Sequence, residues 1–410
     1  MFTKRIIVYN TASQLVGKII GAATSFAVAF FLAKSLGADG YGDFTKITTF
    51  VVPFYLIADF GLNAIMLQKQ DASIWWNRLL GLRMVGSAIL MFLAVSILAF
   101  LPQGNNQGYT NAVRLGIILF APSIFFQSII TTANAFFQKR LRYDVATAAL
   151  AAGSLVTVVF LFVFRMTVTA SILAQLAGIA ATAAAALYGV KKFTQPLRPA
   201  FSRESLTQLL VPSLPLGITL LFNLIYFRAD SFVLTLSRST ADVGIYGLAY
   251  KVFEVALVIP TFFMNAVYPL MLKHQNYELR IMNYEFKKIF QKSLLFMILT
   301  SVFMIPVFWF AAPLVSFIKQ DFSASVPALR VLSLGLPFFF VSSLVMWTLI
   351  TLKKQIILMA VYGASMVVNI ILNMWFVPEH GYMAAAWITV GSEGLVLLLS
   401  GIALMREFKV

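Results

Sequence analysis

Residues 15–32 read LVGKIIGAATSFAVAFFL, a run interrupted by one charge, Lys18. A helix that crosses hydrocarbon needs about 20 predominantly apolar residues, and the pattern around this stretch extends from 10 to 33. Lys4 and Arg5 ahead of it imitate a secretory signal. The run continues through Phe26, Val28, Phe30 and Leu32, longer than a signal core, and similar runs follow it, so it reads as an uncleaved first span.

Working outward, apolar segments bounded by charges or by Gly and Pro recur at 44–67, 79–101, 112–137, 145–164 and 168–190. After a basic stretch they resume at 209–236, 243–272, 289–312, 326–352, 356–377 and 382–405. The splits at Arg165 and Lys353 are the narrowest, three residues each, the first with one basic residue and the second with Lys353 and Lys354. The expectation is an all-α integral membrane protein of about twelve transmembrane helices. Composition agrees: of 410 residues 60% are hydrophobic and 11% charged, where a soluble domain carries about 25% charged residues. Mean hydropathy is +0.88. Twelve spans leave no room for a soluble catalytic domain.

The net charge of +16 would suggest nucleic acid in a soluble protein. In a membrane chain it reads as basic loops retained in the cytoplasm, and no nucleic-acid partner is expected. With the N-terminus inside, Lys69, Arg78, Lys139, Arg140, Arg142, Lys191, Lys192 and most other cations fall on the inner side. Lys34, Arg114, Arg165, Arg238, Lys319 and Arg330 remain outside. Both termini are therefore expected in the cytoplasm. The uncharged 102–110 segment, PQGNNQGYT, fits an outer loop. There is no cysteine, and His274 and His380 lie far apart, so no metal site is expected.

Two echoes divide the chain. Tyr41, Gly42 and Lys46 return as Tyr246, Gly247 and Lys251 at one offset, and the context of Arg114 and Pro122 returns around Arg330 and Pro337. The division expected is an N-terminal six-helix bundle over 1–190, a cytoplasmic linker over 191–208 and a C-terminal six-helix bundle over 209–410. Six is even, so the repeats are parallel, an arrangement in which transporters bind substrate between halves.

Ionisable residues inside spans cost about 2.5–3.5 kcal/mol each on insertion scales and mark candidate sites. Asn10, Gln14 and Lys18 share a helix face. Asp59, with Asn63 one turn on, lies level with Lys18 in a hairpin, either as a salt bridge or as a cavity-lining pair. Arg228 and Asp230, two apart, point different ways, and Lys251 and Glu254 on the next helix offer the pairs Arg228 with Glu254 and Asp230 with Lys251. Glu393 has no basic neighbour within a turn: a buried neutral glutamate or a proton-coupling site. Arg83 and Lys46 are near helix ends, where long side chains snorkel. Asn223 adds a neutral polar group.

The sequence LAKSLGADGYGDF followed by LIADFGLN (56–63), then FRADSFVL (227–234), VGIYGLAYKVFE (243–254) and GYMAAAWITVGSE (381–393) resemble the bacterial Wzx-type polysaccharide flippase family. That family lies within the multidrug, oligosaccharidyl-lipid and polysaccharide exporter superfamily. The resemblance implies two bundles around a central cavity in the bacterial inner membrane, moving undecaprenyl-pyrophosphate-linked oligosaccharide by alternating access. No enzyme activity is implied, and no cofactor, but H+ or Na+ coupling is, with other membrane proteins of polysaccharide assembly as partners. Lys18, Arg83, Arg228 and Lys251, with Asn10, Gln14 and Asn223, are then candidates to bind substrate. Asp59, Asp230, Glu254 and Glu393 balance charge or couple an ion. A cation-coupled drug exporter, a lipid II-type flippase, and a polysaccharide polymerase or ligase are the competing readings; the last expects a large outer loop, which this chain lacks.

Overall fold

The computed structural model describes residues 2–69, 72–104, 106–164, 166–194, 196–273 and 284–408. His274 and Arg165 lie outside the described residues. Helices account for nearly all of what is described: α1 (Phe2–Asp59), α2 (Leu62–Gln68), α3 (Ser73–Ile97), α4 (Asn111–Phe120), α5 (Pro122–Lys139), α6 (Tyr143–Val163) and α7 (Val168–Lys191). A short α8 (Arg203–Ser205) and a π-helical turn at Leu206–Leu210 lead into α9 (Val211–Ser237). Then follow α10 (Thr240–Ala256), α11 (Val258–Lys273), α12 (Tyr284–Ala311), α13 (Ser325–Leu334), α14 (Leu336–Thr351) and α15 (Gln355–Phe408).

Among the described residues nine helical stretches are long and apolar enough to cross a membrane, and the bent pair formed around α13 and α14 makes a tenth. Two of these stretches are double length, each turning at one glycine: Gly37 (φ 72°, ψ −170°) and Gly381 (φ 64°, ψ −152°). That backbone region is open essentially to glycine alone, because a Cβ would collide with the neighbouring peptide. Dividing both stretches at these corners gives twelve spans, the number expected from the sequence. Lys353, with φ 58°, separates α14 from α15, and Phe164 ends α6 in extended conformation. The outward face carries large apolar side chains: Leu299, Phe303 and Phe310 of α12 all stand exposed. A soluble protein does not present such a surface. The chain is a multi-pass membrane protein.

The chain divides into two compact units, Met1–Leu221 and Phe222–Val410. In the first, α6 and α7 approach unusually closely. A Cβ on Gly153 would lie 1.8 Å from the Thr182 hydroxyl, and one on Gly178 would lie 1.8 Å from that of Thr157. Each threonine donates back to the glycine carbonyl four residues earlier in its own helix, so the contact is satisfied without water. Trp76, wholly buried, packs edge-on to Phe136 at 5.3 Å. Beside it the segment ahead of α8 is tied to the start of α3. Ala200 N donates to Asn77 O (2.9 Å), Arg198 N donates to Asn77 Oδ1 (2.9 Å), and Arg78 meets Glu204 at 2.5 Å.

The internal echo has a structural counterpart. In the first unit a span breaks at Ala121 ahead of Pro122; in the second, one breaks at Gly335 ahead of Pro337 with a 42° bend. Both breaks follow helices of 10 residues, α4 and α13. Proline lacks the amide that would continue the ladder, yet only the second break is sharply bent, and Asn111–Lys139 runs on as one stretch with Ala121 in helical backbone.

Another break was not foreseen. Between α1 and α2, Phe60 (φ 42°) and Gly61 (φ 76°) both take left-handed backbone. For a bulky residue this costs on the order of 1–3 kcal/mol and persists only where the surroundings impose it. Phe60 lies against Gly217 of α9, where a Cβ would come within 2.4 Å of the ring, and Leu216 lies against Gly61.

Candidate functional site: the charges within the spans

Arg83 is the most enclosed charge of the first unit, with no exposed side-chain surface. Its Nη1 donates to Thr132 Oγ1 (3.2 Å), and its Nη2 to Asn63 Oδ1 (2.8 Å) and, in a short contact, to Asp59 Oδ1. Asp59 is the last residue of α1 and Asn63 belongs to α2, so one guanidinium grips both sides of the Phe60–Gly61 break. This corrects two expectations. Arg83 does not snorkel, because α3 directs it inward onto the break rather than along its own axis. Asp59 meets a cation of α3, a partner that the hairpin reading did not include: equal depth in a hairpin does not bring in third helices.

The stripe of the first helix is split by its packing. Asn10 is buried and accepts the backbone N–H of Tyr143 (3.1 Å), which serves the start of α6. Gln14 and Lys18 stand exposed. Lys46 does not snorkel either: it is buried and its Nζ donates to Gly108 O (3.0 Å), while Arg114 holds the carbonyls of Leu101 and Tyr109. The uncharged loop is thus fastened from beneath by two cations.

In the second unit Arg228 and Lys251 converge on one carboxylate. Glu254 lies 3.5 Å from Arg228 Nη2 through Oε1 and 3.1 Å from Lys251 Nζ through Oε2. All three side chains are about a third exposed, at 32%, 33% and 30% respectively for Arg228, Lys251 and Glu254. Asp230 faces the other way, as the two-residue spacing required. It accepts from the Tyr246 hydroxyl in a short contact, from Thr389 (3.3 Å) and from the Ser231 amide (2.6 Å). The expected ion pair between Asp230 and Lys251 is therefore replaced. Lys251 reaches Glu254 one turn along its own helix, and Asp230 is satisfied by hydroxyls.

Glu393 is buried and accepts from Tyr226 OH (3.0 Å) and, in a short contact, from Ser342 OH. Nearby, Asn369 donates to Ser392 (2.9 Å) and Asn373 to the Asn369 carbonyl (2.9 Å), while Asn373 Oδ1 is buried without a partner. Asn223, half-buried, is one turn before Tyr226. Tyr226, Tyr246, Ser342 and Thr389 were missed from the sequence. Tyr226 directly precedes the quoted FRADSFVL and Tyr246 lies within VGIYGLAYKVFE, and a phenol close to an intramembrane carboxylate was the available signal. Among the described residues no group of three or more His, Asp or Glu is placed to hold a metal ion. Chemically, the exposed trio leaves two cations on one carboxylate, ready for an anion. The two buried carboxylates sit among hydroxyl donors, in surroundings able to exchange a proton or a small cation.

The family model described as "Polysaccharide biosynthesis protein" matches residues 7–275, and a second model, MatE, matches residues 215–375. Comparison with curated proteins gives no match. Among solved structures, the lipid II flippase MurJ in an inward closed conformation is similar with a TM-score of 0.78 and 14% identity, covering 98% of this chain and 89% of that one. An inward-facing multidrug resistance MATE transporter of the MOP superfamily gives 0.77 and 15%, with 94% of each chain covered. A MOP superfamily transporter from Pyrococcus furiosus, described as having a binding pocket of reverse polarity, gives 0.66 and 14%, covering 98% and 96%. At such identities the likeness is one of fold.

Proposed function

Since this chain belongs to the polysaccharide biosynthesis protein family and folds as the MOP flippases and exporters do, we propose that it flips undecaprenyl-pyrophosphate-linked oligosaccharide units across the bacterial inner membrane. A sugar bearing a pyrophosphate cannot cross hydrocarbon unshielded, whereas its polyprenyl tail can stay in the bilayer. The transport path therefore has to offer cations without a full set of counter-charges. The observation that carries the reading is the sharing of Glu254 by Arg228 and Lys251, both still a third exposed. Guanidinium and ammonium donors bind phosphate oxygens through charge-assisted hydrogen bonds, strongest away from bulk water. Lys18, with Gln14 beside it on an exposed face, supplies a further cation in the first half.

In this reading the cargo is exposed to one side and then the other by two six-helix bundles, 1–190 and 209–410, joined through 191–208. Both termini lie in the cytoplasm, the side favoured by the excess of Lys and Arg. Asp230 and Glu393, buried without a cation in direct contact, are the carboxylates for coupling to H+ or Na+. Arg83, enclosed and held through both Nη atoms by Asp59, Asn63 and Thr132, belongs to the framework and not to the cargo path. A drug exporter would want an acidic path, and Arg228 with Lys251 favours an anionic cargo instead.

The test is translocation of a fluorescent undecaprenyl-pyrophosphate oligosaccharide in proteoliposomes. Arg228→Ala and Lys18→Ala are each expected to lower the rate roughly tenfold or more, about 1.4 kcal/mol of lost phosphate contact. Unchanged transport in both variants refutes the basic path.

A further inference from the structure

Three features meet at the Phe60–Gly61 break. Arg83 clasps Asp59 before it and Asn63 after it, and is itself anchored on α5 through Thr132. From the break the Phe60 ring projects onto α9, where Gly217 is the residue that leaves room for it: a Cβ there would lie 2.4–2.6 Å from three ring atoms. In return Leu216 covers Gly61, whose Cβ position is 3.0 Å from the leucine side chain. Each glycine receives the neighbour's side chain, so the two segments are keyed together and neither can shift along the other without leaving its slot.

What α9 does next gives this contact its meaning. The helix starts from a π-helical turn at Leu206–Leu210 and contains Pro215, whose missing amide frees one bond of the ladder two residues before the slot. It continues past the boundary at Leu221 into the second unit, where it carries Tyr226, Arg228 and Asp230. A weak ladder immediately before a keyed contact is where a helix can be turned with little loss. The left-handed Phe60 lies between the two residues that Arg83 clasps, so the clasp and the slot on α9 constrain the same short stretch of backbone.

We infer that Phe60 is a positioning residue for the transport cycle: seated on Gly217, it transmits the state of the Arg83–Asp59 clasp to the start of α9. The transport arm of the test rests on the oligosaccharide-lipid reading above; the conformational arm does not. The contact itself touches no cargo and no coupling ion.

The conformational arm follows amide hydrogen exchange over 206–221 in the full chain in lipid nanodiscs. Asp59→Asn loosens the clasp and is expected to speed exchange there roughly tenfold when Phe60 is present, and less than about twofold in a Phe60→Ala background. An equal response in both backgrounds overturns the inference, because the signal would then reach α9 without the ring. Phe60→Leu, which keeps an apolar side chain in the slot, restores the Asp59→Asn response if the contact is the link; a response that stays lost overturns it. In proteoliposomes Phe60→Ala is expected to lower the maximal translocation rate about tenfold with half-saturation unchanged, and Phe60→Leu to recover most of it. A change in half-saturation alone overturns the positioning role. A parent chain that moves no oligosaccharide-lipid defeats only the proposed cargo, because the exchange result is read without any cargo.

Discussion

Replacing Asp59 by alanine should strand Arg83. The guanidinium has no exposed side-chain surface and Asp59 is the one anionic partner among its hydrogen bonds; Asn63 and Thr132 are neutral, and Nε already lacks an acceptor. Removing one member of a buried ion pair costs about 3–5 kcal/mol, because the remaining charge stays out of water. The first unit spans Met1–Leu221. For that size 1 kcal/mol moves the melting temperature by about 2–4 °C, so Asp59→Ala should lower it by at least about 6 °C. Asp59→Asn keeps an acceptor and loses the charge, which brings the cost down to about 1–2 kcal/mol. The double variant Asp59→Leu with Arg83→Met removes both charges and fills their volume, and should return close to the parent or exceed it. Thermal unfolding of the detergent-purified chain, followed by tryptophan fluorescence, measures all three. A melting temperature unmoved in Asp59→Ala, or a double variant worse than the single, refutes the clasp.

Two other outcomes follow from close packing and from burial. Gly153→Val would drive a branched side chain into Thr182 and the Gly178 carbonyl, 1.8 and 2.4 Å from the first carbon, and should cost more than the ~1–3 kcal/mol of ordinary overpacking; normal yield and melting temperature would refute the packing of α6 on α7. Glu393→Gln keeps an acceptor for Tyr226 or Ser342 but cannot titrate, so the fold should survive while transport loses its response to an imposed pH gradient. A gradient response equal to the parent's, measured in the same vesicles, removes Glu393 from coupling.

The membrane fold was legible because span length and apolar content are one-dimensional properties. The echo of Arg114 and Pro122 in Arg330 and Pro337 was legible for a related reason, as it is a match of residue types along the chain. Side-chain partners depend on azimuth and on third helices, which spacing does not carry. Lys18 and Asp59 are level along their helices, yet Arg83 of α3 occupies the carboxylate. Arg83 and Lys46 were read as snorkelling from their nearness to helix ends, a rule that holds when the end faces water; here one faces a break and the other a folded loop. Arg228 with Glu254 was found because two adjacent helices suffice to make it. Asp230 went to Tyr246 and Thr389, the latter from α15, far along the chain and beyond any local pattern. The Phe60–Gly61 break left a trace only in the glycine that follows an aromatic residue.

The corners at Gly37 and Gly381 also bear on how the molecule can be handled. A turn made by one residue leaves no slack between the helices it joins, so an epitope tag or fluorescent protein inserted there would have to pry two spans apart. The same shortness gives a protease no extended chain to grip and an antibody little to recognise. Labels are better carried on single side chains, with cysteines introduced into a chain that has none of its own. Every thiol in such a variant is then one the experimenter chose.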